Sequence, residues 1–574
     1  MVDLSKVDFD HSFDEVSKKI LVARGITTNQ DLDHRLSSMP EPTKMRGMAE
    51  AVGLLVDALK LDQRILILGD YDADGATASA LAVRVLYEIG ARQIDFLVPN
   101  RFEYGYGLSP EIAEVALGFK PDLVITVDNG ISSIEGIKYL KDRGVRVIVT
   151  DHHLPGAELP VADAIINPNQ IDCEFPSKCL AGVGVLFYLM IALRGKLREL
   201  GWFTQKNLQE PRLENYLDLV ALGTVADLVP LDRTNRLLVI NGLKRIHSGE
   251  GNPGIKALFE IAGRDLARAT SSDLGYAIAP RINAAGRLDD ISEGIRCLLE
   301  DDSSSARERA LNLHHTNMER RQIQTEMTDA AASIVEQMSQ SGLDQLPWGL
   351  CMYQPDWHQG IVGLVASKMK ETLNRPAIAF AKSDSDETKL MELKGSARSV
   401  PGLHMRDLLD RIATQNPGLI SKFGGHAMAA GLSIKTTDYE TFANLFDQQV
   451  RQFLNEDDLK AVLWSDGELG HDHLSLDYAR KLEQLLPWGQ ALSEPLFHGE
   501  FHIESMRWLK EKHLKMTLMA GPSAQFLDAI WFNAASEKEI EENISISLAY
   551  RLNVNEYRGQ ESLQLIVVDQ VDKV

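Results

Sequence analysis

Apolar residues fall in short unbroken runs through the first third of the chain. Arg64-Ile65-Leu66-Ile67-Leu68, Asp122–Val127 and Val145–Thr150 each read as a buried parallel strand, because a strand covered on both faces has no polar side to alternate with. Helix-like stretches separate them: Ala78 to Ile89, the segment before Pro121, and Ser133 to Arg143. Gln93–Val98 adds a further strand, so residues 50–165 alternate strand and helix as a doubly wound α/β sheet requires.

Residues 1–45 read as a small helical lead-in and 180–300 as more helical. Asp302 to Gln340 contains neither glycine nor proline and predicts one long helix, roughly 55 Å at about 1.5 Å per residue. Its charges read as a solvated face, and the helix as a bridge between domains. A second, smaller α/β unit is expected over Leu346–Leu454. Beyond it, Leu514–Met519, Phe526–Phe532, Ile544–Leu552 and Ser562–Val568 predict short strands of a β-barrel. The expected division is 1–45 lead-in, 46–301 main α/β domain, 302–341 connecting helix, 342–454 second α/β domain and 455–574 barrel.

Acidic and histidine residues collect where the apolar runs stop. The first run leads into Asp70-Tyr71-Asp72-Ala73-Asp74-Gly75, the second into Asp128-Asn129-Gly130, the third into Asp151-His152-His153. Asp227 follows the apolar stretch Leu219–Ala226. Open α/β sheets place their ligands at the C-terminal strand ends. A lone Asp-x-Asp more often caps a turn than holds a metal. Four such elements in strand-end or apolar settings point instead to divalent cations, since crowded ionised carboxylates repel one another. Oxygen donors with one or two imidazoles suit Mn²⁺ or Mg²⁺, and Asp128, alone at its strand end, is placed to bridge two ions.

Other segments carry phosphate or base chemistry. Arg101, with Phe102, Tyr104 and Tyr106 in a glycine-containing loop, suits a phosphate and stacked bases, or is a structural turn. Ser396 and Arg398 form a plausible phosphate clamp, and Gly424-Gly425-His426 through Gly431 is a small-residue turn that lets backbone approach a ligand.

The 574 residues suffice for several domains, and 44% hydrophobic with 25% charged residues is ordinary globular composition. A net charge of -22 disfavours nonspecific duplex coating, yet a local basic channel for a single strand is compatible with it. Cys173, Cys179, Cys297 and Cys351 are sparse and irregular, which fits reduced thiols better than a zinc site or a disulfide framework. No apolar run spans a bilayer and Met1–Asp8 has no signal-peptide pattern, so a cytoplasmic protein without membrane association is expected.

The motifs together resemble the DHH phosphoesterase superfamily: Asp70–Gly75, Val127–Ser132, Thr150–His153 and Gly223–Asp227. Gly424–Gly431 looks like the signature of its DHHA1 domain. With Arg101–Leu108 and Ala279–Arg287, the ordered set is similar to the bacterial RecJ family over nearly the whole chain. The resemblance implies a single-strand-specific DNA exonuclease that degrades from the 5′ end to mononucleotides, uses two Mn²⁺ or Mg²⁺ ions and serves recombination and repair. It implies Asp72, Asp74, Asp128, His152 and Asp227 as metal ligands and His153 as a phosphate-contacting or acid/base residue. Asp70 stands outside that set as an additional ligand candidate, because some relatives carry histidine near this motif in another register. Arg101, Tyr106, Arg281, Ser396, Arg398, Gly425 and His426 are the expected DNA contacts. An OB-fold tail, a single-strand-binding protein and a helicase as partners, and a monomer complete the expectation. A small-molecule phosphoesterase, a non-catalytic replication scaffold and a pure single-strand-binding module are the rivals. The long helix and β tail favour a polymer substrate, and the intact acidic set argues against a scaffold.

Overall fold

The computed structural model describes residues 7–9, 13–100, 107–338, 346–383, 392–521, 525–534 and 540–571. The chain forms two compact units, one holding residues up to Leu97, Gly107–Ala279 and Leu463 onward, the other Pro280–Val462.

The first unit is built on a parallel sheet of β1 (Ile65–Gly69), β2 (Ile94–Leu97), β3 (Leu123–Val127), β4 (Arg146–Thr150) and β5 (Ala164–Ile166), in the order β2-β1-β3-β4-β5. Every residue of β1 and β3 is buried, as the unbroken apolar runs require of central strands. That order reverses direction between β1 and β3, the place where doubly wound sheets open a crevice for ligands. Asp70–Asp74 and Asp128 follow those two strands.

The mostly apolar helix Leu217–Ala226, nearly all buried, and the helix Gly182–Glu199 close over this edge. Both pack against the helix Ala73–Ile89, and Gly223 sits where the helix Leu217–Ala226 meets Thr77. A Cβ on Gly223 would sit 2.3 Å from Thr77 Oγ1, so glycine sets the spacing there.

The same unit carries a closed barrel of β11 (Phe497–Leu509), β12 (His513–Ala520), β13 (Gln525–Trp531), β14 (Ser545–Tyr557) and β15 (Gln560–Gln570), ordered β11-β12-β13-β15-β14. Only β13 and β15 pair in parallel. The barrel is tied to the sheet domain by a buried ion pair, Arg24 Nη1 to Asp466 Oδ1 at 2.7 Å. Arg24 also donates to Ser493 O and stacks on Trp488, while Ser271 Oγ donates to Trp488 O at 2.6 Å.

The second unit contains the helix Ser303–Met338, 36 residues long, and a mixed sheet. Its strands are β6 (Leu350–Tyr353), β7 (Ala377–Lys382), β8 (Glu392–Arg398), β9 (Ile420–Gly425) and β10 (Ala429–Lys435), ordered β6-β7-β8-β10-β9. Helices cover it on both faces, with Phe380, Phe442 and Phe446 in the core on one side and Met327, Ala331 and Val335 of the long helix on the other. One polar residue of the long helix, Asn317, is completely buried.

Candidate metal centre

Each acidic element is fixed by backbone donors at the open edge of the sheet. Asp72 caps the helix Ala73–Ile89, its Oδ1 accepting from the N–H of Asp74 at 2.9 Å and Gly75 at 3.1 Å. Gly75 cannot be anything larger, because a Cβ there would lie 2.5 Å from Asp70 O. Asp74 is fully buried and accepts from Gly182 N at 2.6 Å and Val183 N at 2.9 Å, the first N–H groups of the helix Gly182–Glu199. Burial, then the charge of Asp72, pushes the Asp74 carboxyl up to about 7 against the pull of those two donors.

Asp128 leaves β3 with φ 62, a left-handed conformation that aspartate adopts more readily than most residues. Its N–H donates to Thr150 O, and Asn129 Nδ2 donates to Leu68 O at 3.1 Å, tying the β1 and β3 ends together. Asp227 follows directly on the helix Leu217–Ala226. Burial, then neighbouring carboxylates led by Asp74, holds both Asp128 and Asp227 well above the usual carboxylate range.

The two histidines divide in role. His152 Nε2 lies 3.1 Å from Asp128 Oδ1 and 3.4 Å from Asp227 Oδ2. Burial, then the charge of His153, pushes His152 down to about 4, so its ring is the neutral form that ligates metal. His153 Nδ1 sits 2.8 Å from Asp151 Oδ1. Burial would lower this ring's pKa, but Asp151 outweighs it and raises it.

Asp151 serves this arrangement from behind. It is buried and accepts from the N–H of Ile131, His152 and His153 as well as the His153 ring. Burial alone would raise its carboxyl, and the His153 contacts more than offset this and lower it. Asn167 Nδ2 donates to His153 O at 2.9 Å and Asn169 Nδ2 to His152 O at 2.6 Å, bracing the loop. The sequence reading did not single out Asp151, Asn129, Asn167, Asn169 or Gly182 for such roles.

Donor atoms of three groups converge to within 4.8 Å of one another: Asp70, Asp72 and Asp128; Asp74, His152 and Asp227; Asp128, His152 and His153. Asp128 and His152 each belong to two of them, and Asp70 stands with the others. The donors are hard carboxylate oxygens and neutral imidazole, and the buried carboxylates are held away from their ionised form mainly by burial and by one another. A divalent cation removes that conflict, so the residues fit Mn²⁺ or Mg²⁺.

The expected DNA contacts lie elsewhere in the chain. In the second unit, Arg398 Nη1 donates to Ser396 Oγ at 3.1 Å and Nε to Ser367 Oγ at 3.0 Å, which fixes the guanidinium beside the start of the helix Val362–Leu373. A Cβ on Gly363 would reach 3.1 Å from Arg398 Nη2. Arg281 is buried in the same unit. Gly425, with φ 143, and His426 form the turn between β9 and β10, where His426 N donates to Ala429 O. Arg101 and Tyr106 fall outside the described residues.

Known proteins match this architecture along its length. The model of the DHH family N-terminal domain covers residues 64–224, that of the DHHA1 domain 347–452 and that of the RecJ OB domain 465–569. The chain is 48% identical to the single-stranded-DNA-specific exonuclease RecJ of Dickeya dadantii, over 98% of its own length and 97% of that protein's. It is 47% identical to that of Escherichia coli, over 96% and 94%. The crystal structure of Thermus thermophilus RecJ in complex with Mn²⁺ superposes with a TM-score of 0.79 at 29% identity, covering 97% of this chain and 76% of that one. The three domains in their order, with relatives at nearly half identity end to end, place this chain in the RecJ family of the DHH/DHHA1 superfamily.

Proposed function

We propose that the chain is a single-stranded-DNA-specific 5′-to-3′ exonuclease, hydrolysing phosphodiester bonds to 5′-mononucleotides in DNA recombination and repair. The observation that carries this reading is the convergence of three overlapping donor groups, linked through Asp128 and His152, at the switch point of the sheet.

Asp72, Asp74, Asp128, His152 and Asp227 hold two Mn²⁺ or Mg²⁺ ions, with Asp70 beside them. When bound, such ions polarise the scissile phosphate, make water a competent nucleophile and stabilise the leaving oxygen. The chain's own residues do the rest. Gly182 and Val183 fix Asp74 from below, and the barrier to crowding the carboxylates is met by the rigid strand ends. Asp151 anchors Nδ1 of His153 and so orients the ring to offset charge on a phosphate oxygen. Arg281, Ser396 and Arg398 hold the 5′-terminal phosphate, Arg101 pairs with a phosphate, and Tyr106, Gly425 and His426 line the path of the strand. The work is divided among residues 46–301 (catalysis), 302–341 (connection), 342–454 (substrate holding) and 455–574 (single-strand binding), after a lead-in of 1–45. The protein acts as a cytoplasmic monomer, with a single-strand-binding protein and a helicase as partners. Among the described residues no helix is long and apolar enough to cross a membrane.

One long oligonucleotide labelled at either end tests the proposal. With Mn²⁺ or Mg²⁺, mononucleotide is released at once from the 5′ label and late from the 3′ label, and chelator stops both. Release first from the 3′ label, or cleavage that survives chelator, would overturn it.

A further inference from the structure

The helix Ser303–Met338 packs through small and apolar side chains toward both ends: Ala306, Ala310 and Leu313 at one, Met327, Ala331 and Val335 at the other. Between them the same face turns polar. Asn317, one turn after Leu313, is 0% exposed, and Arg320 and Gln324 follow it at helical spacing. Arg320 Nη2 donates to Asn317 Oδ1 at 2.7 Å and Nη1 to Gln324 Oε1 at 2.5 Å. The guanidinium thus claims the amide oxygen and turns Nδ2, which carries two donor protons, away from it. Among the described residues Asn317 Nδ2 has no acceptor. His314, one turn earlier, has a buried Nδ1 that likewise finds no partner.

The described charges that act on Arg320 and His314 are positive. Burial, then Arg321, pushes Arg320 down to about 10. Burial, then Arg281, His315 and Arg321, lowers His314. No carboxylate figures among the described groups acting on either residue. A half-buried guanidinium without a counter-charge is costly, and a buried amide donor without an acceptor adds to the cost. Water would satisfy the amide but not the charge. What satisfies both is a group that is only an acceptor and is negative, and a phosphodiester is such a group.

We infer that Asn317 and Arg320 form a backbone-phosphate site for the single strand on the long helix, separate from the Ser396–Arg398 pair. This rests on the exonuclease reading for the identity of the ligand. A phosphate takes the open N–H protons of Asn317 and the charge of Arg320 while the Asn317 oxygen keeps the guanidinium in place. The site reads no base, so it serves any sequence.

The test is binding of a fluorescent oligothymidylate by the full chain in chelator, followed by anisotropy across a range of KCl concentrations, with melting temperatures measured in parallel. Arg320→Gln is expected to reduce the slope of log K against log salt by about 0.7, the share of one single-strand phosphate. Arg320→Lys is expected to retain most of that slope. Asn317→Asp sets a carboxylate against Arg320, and is expected to weaken binding while leaving the melting temperature at or above that of the unaltered chain. A slope unchanged in Arg320→Gln and Asn317→Asp overturns the inference. So does affinity that merely follows melting temperature across the three variants, which is the signature of a structural cluster, and so does failure of the unaltered chain to bind. Turnover is measured separately with metal. An intact labelled oligonucleotide there, with normal binding here, would count against the exonuclease reading and not against this site.

Discussion

Gly182→Ala should cripple catalysis without touching a single acidic or histidine residue. A Cβ at Gly182 would stand 2.5 Å from Asp128 Cβ, 2.6 Å from its Oδ1 and 2.7 Å from its Cγ. Ordinary carbon contacts begin at about 3.5 Å, so something must retreat by about 1 Å. Asp128 has little freedom to do so, since its N–H is bonded to Thr150 O and its backbone is already left-handed. If the helix Gly182–Glu199 retreats instead, the Gly182 and Val183 donors leave Asp74. Either way one ligand moves, and a misplacement of about 1 Å at a reacting centre costs roughly a hundredfold in rate. That is about 2.7 kcal/mol of transition-state stabilisation. Gly195→Ala in the same helix is the control, because a Cβ there meets nothing within 4 Å. The assay is kcat/KM on a 5′-labelled single strand in Mn²⁺, with circular dichroism and melting to show that both variants fold. Activity of Gly182→Ala within threefold of Gly195→Ala would refute the cradle argument.

Three other outcomes follow from the same contacts. Asp151→Asn removes the carboxylate that orients His153, so kcat should fall about tenfold to a hundredfold with KM little changed; an equal rise in KM would contradict the orienting role. Arg24→Met breaks a buried pair and strands Asp466, which should cost about 3 kcal/mol in denaturant unfolding; a loss under about 1 kcal/mol would show that the pair is dispensable. Mn²⁺ at about a hundred times its dissociation constant should stabilise the fold by about 2.7 kcal/mol, seen as a higher melting temperature. Asp227→Asn should blunt that rise, and an undiminished shift would place the ions elsewhere.

The ligands were legible because each ends an apolar run. Ile65–Leu68, Leu123–Val127 and Arg146–Thr150 are parallel strands, and Asp70–Asp74, Asp128 and His152–His153 fall where the backbone leaves them. The supporting residues were not legible, for a physical reason. Asp151 differs from a ligand only in where its carboxylate points, and that depends on the path of the loop, which Asn167 and Asn169 hold from the next strand end. Gly182 acts on Asp128 across a stretch of chain that no periodicity links. The first barrel strand, Phe497–Leu509, alternates buried and open positions at its start but was not picked out among the barrel strands, because its later residues lose the alternation. Asn317 was not legible either, since a polar residue at a packing position of a helix looks like any other until the neighbouring elements are in place.

The backbone at Asp128 separates what the ligand contributes from what the turn costs. Its φ of 62 is a conformation in which an ordinary side chain costs about 1–2 kcal/mol and glycine almost nothing. Asp128→Ala and Asp128→Gly both delete the shared carboxylate, so both should be inactive to the limit of the assay. They should differ in stability. Alanine keeps the strained backbone, whereas glycine relaxes it but gives the unfolded chain more freedom, which returns up to about 1 kcal/mol. The net expectation is that Asp128→Gly unfolds with a free energy about 1 kcal/mol above that of Asp128→Ala, measured in chelator so that metal binding plays no part. Equal stabilities would mean that the turn relaxes when the carboxylate is gone. The left-handed backbone would then be imposed by the crowded carboxylates and not by the path from β3 into Asn129 and Gly130.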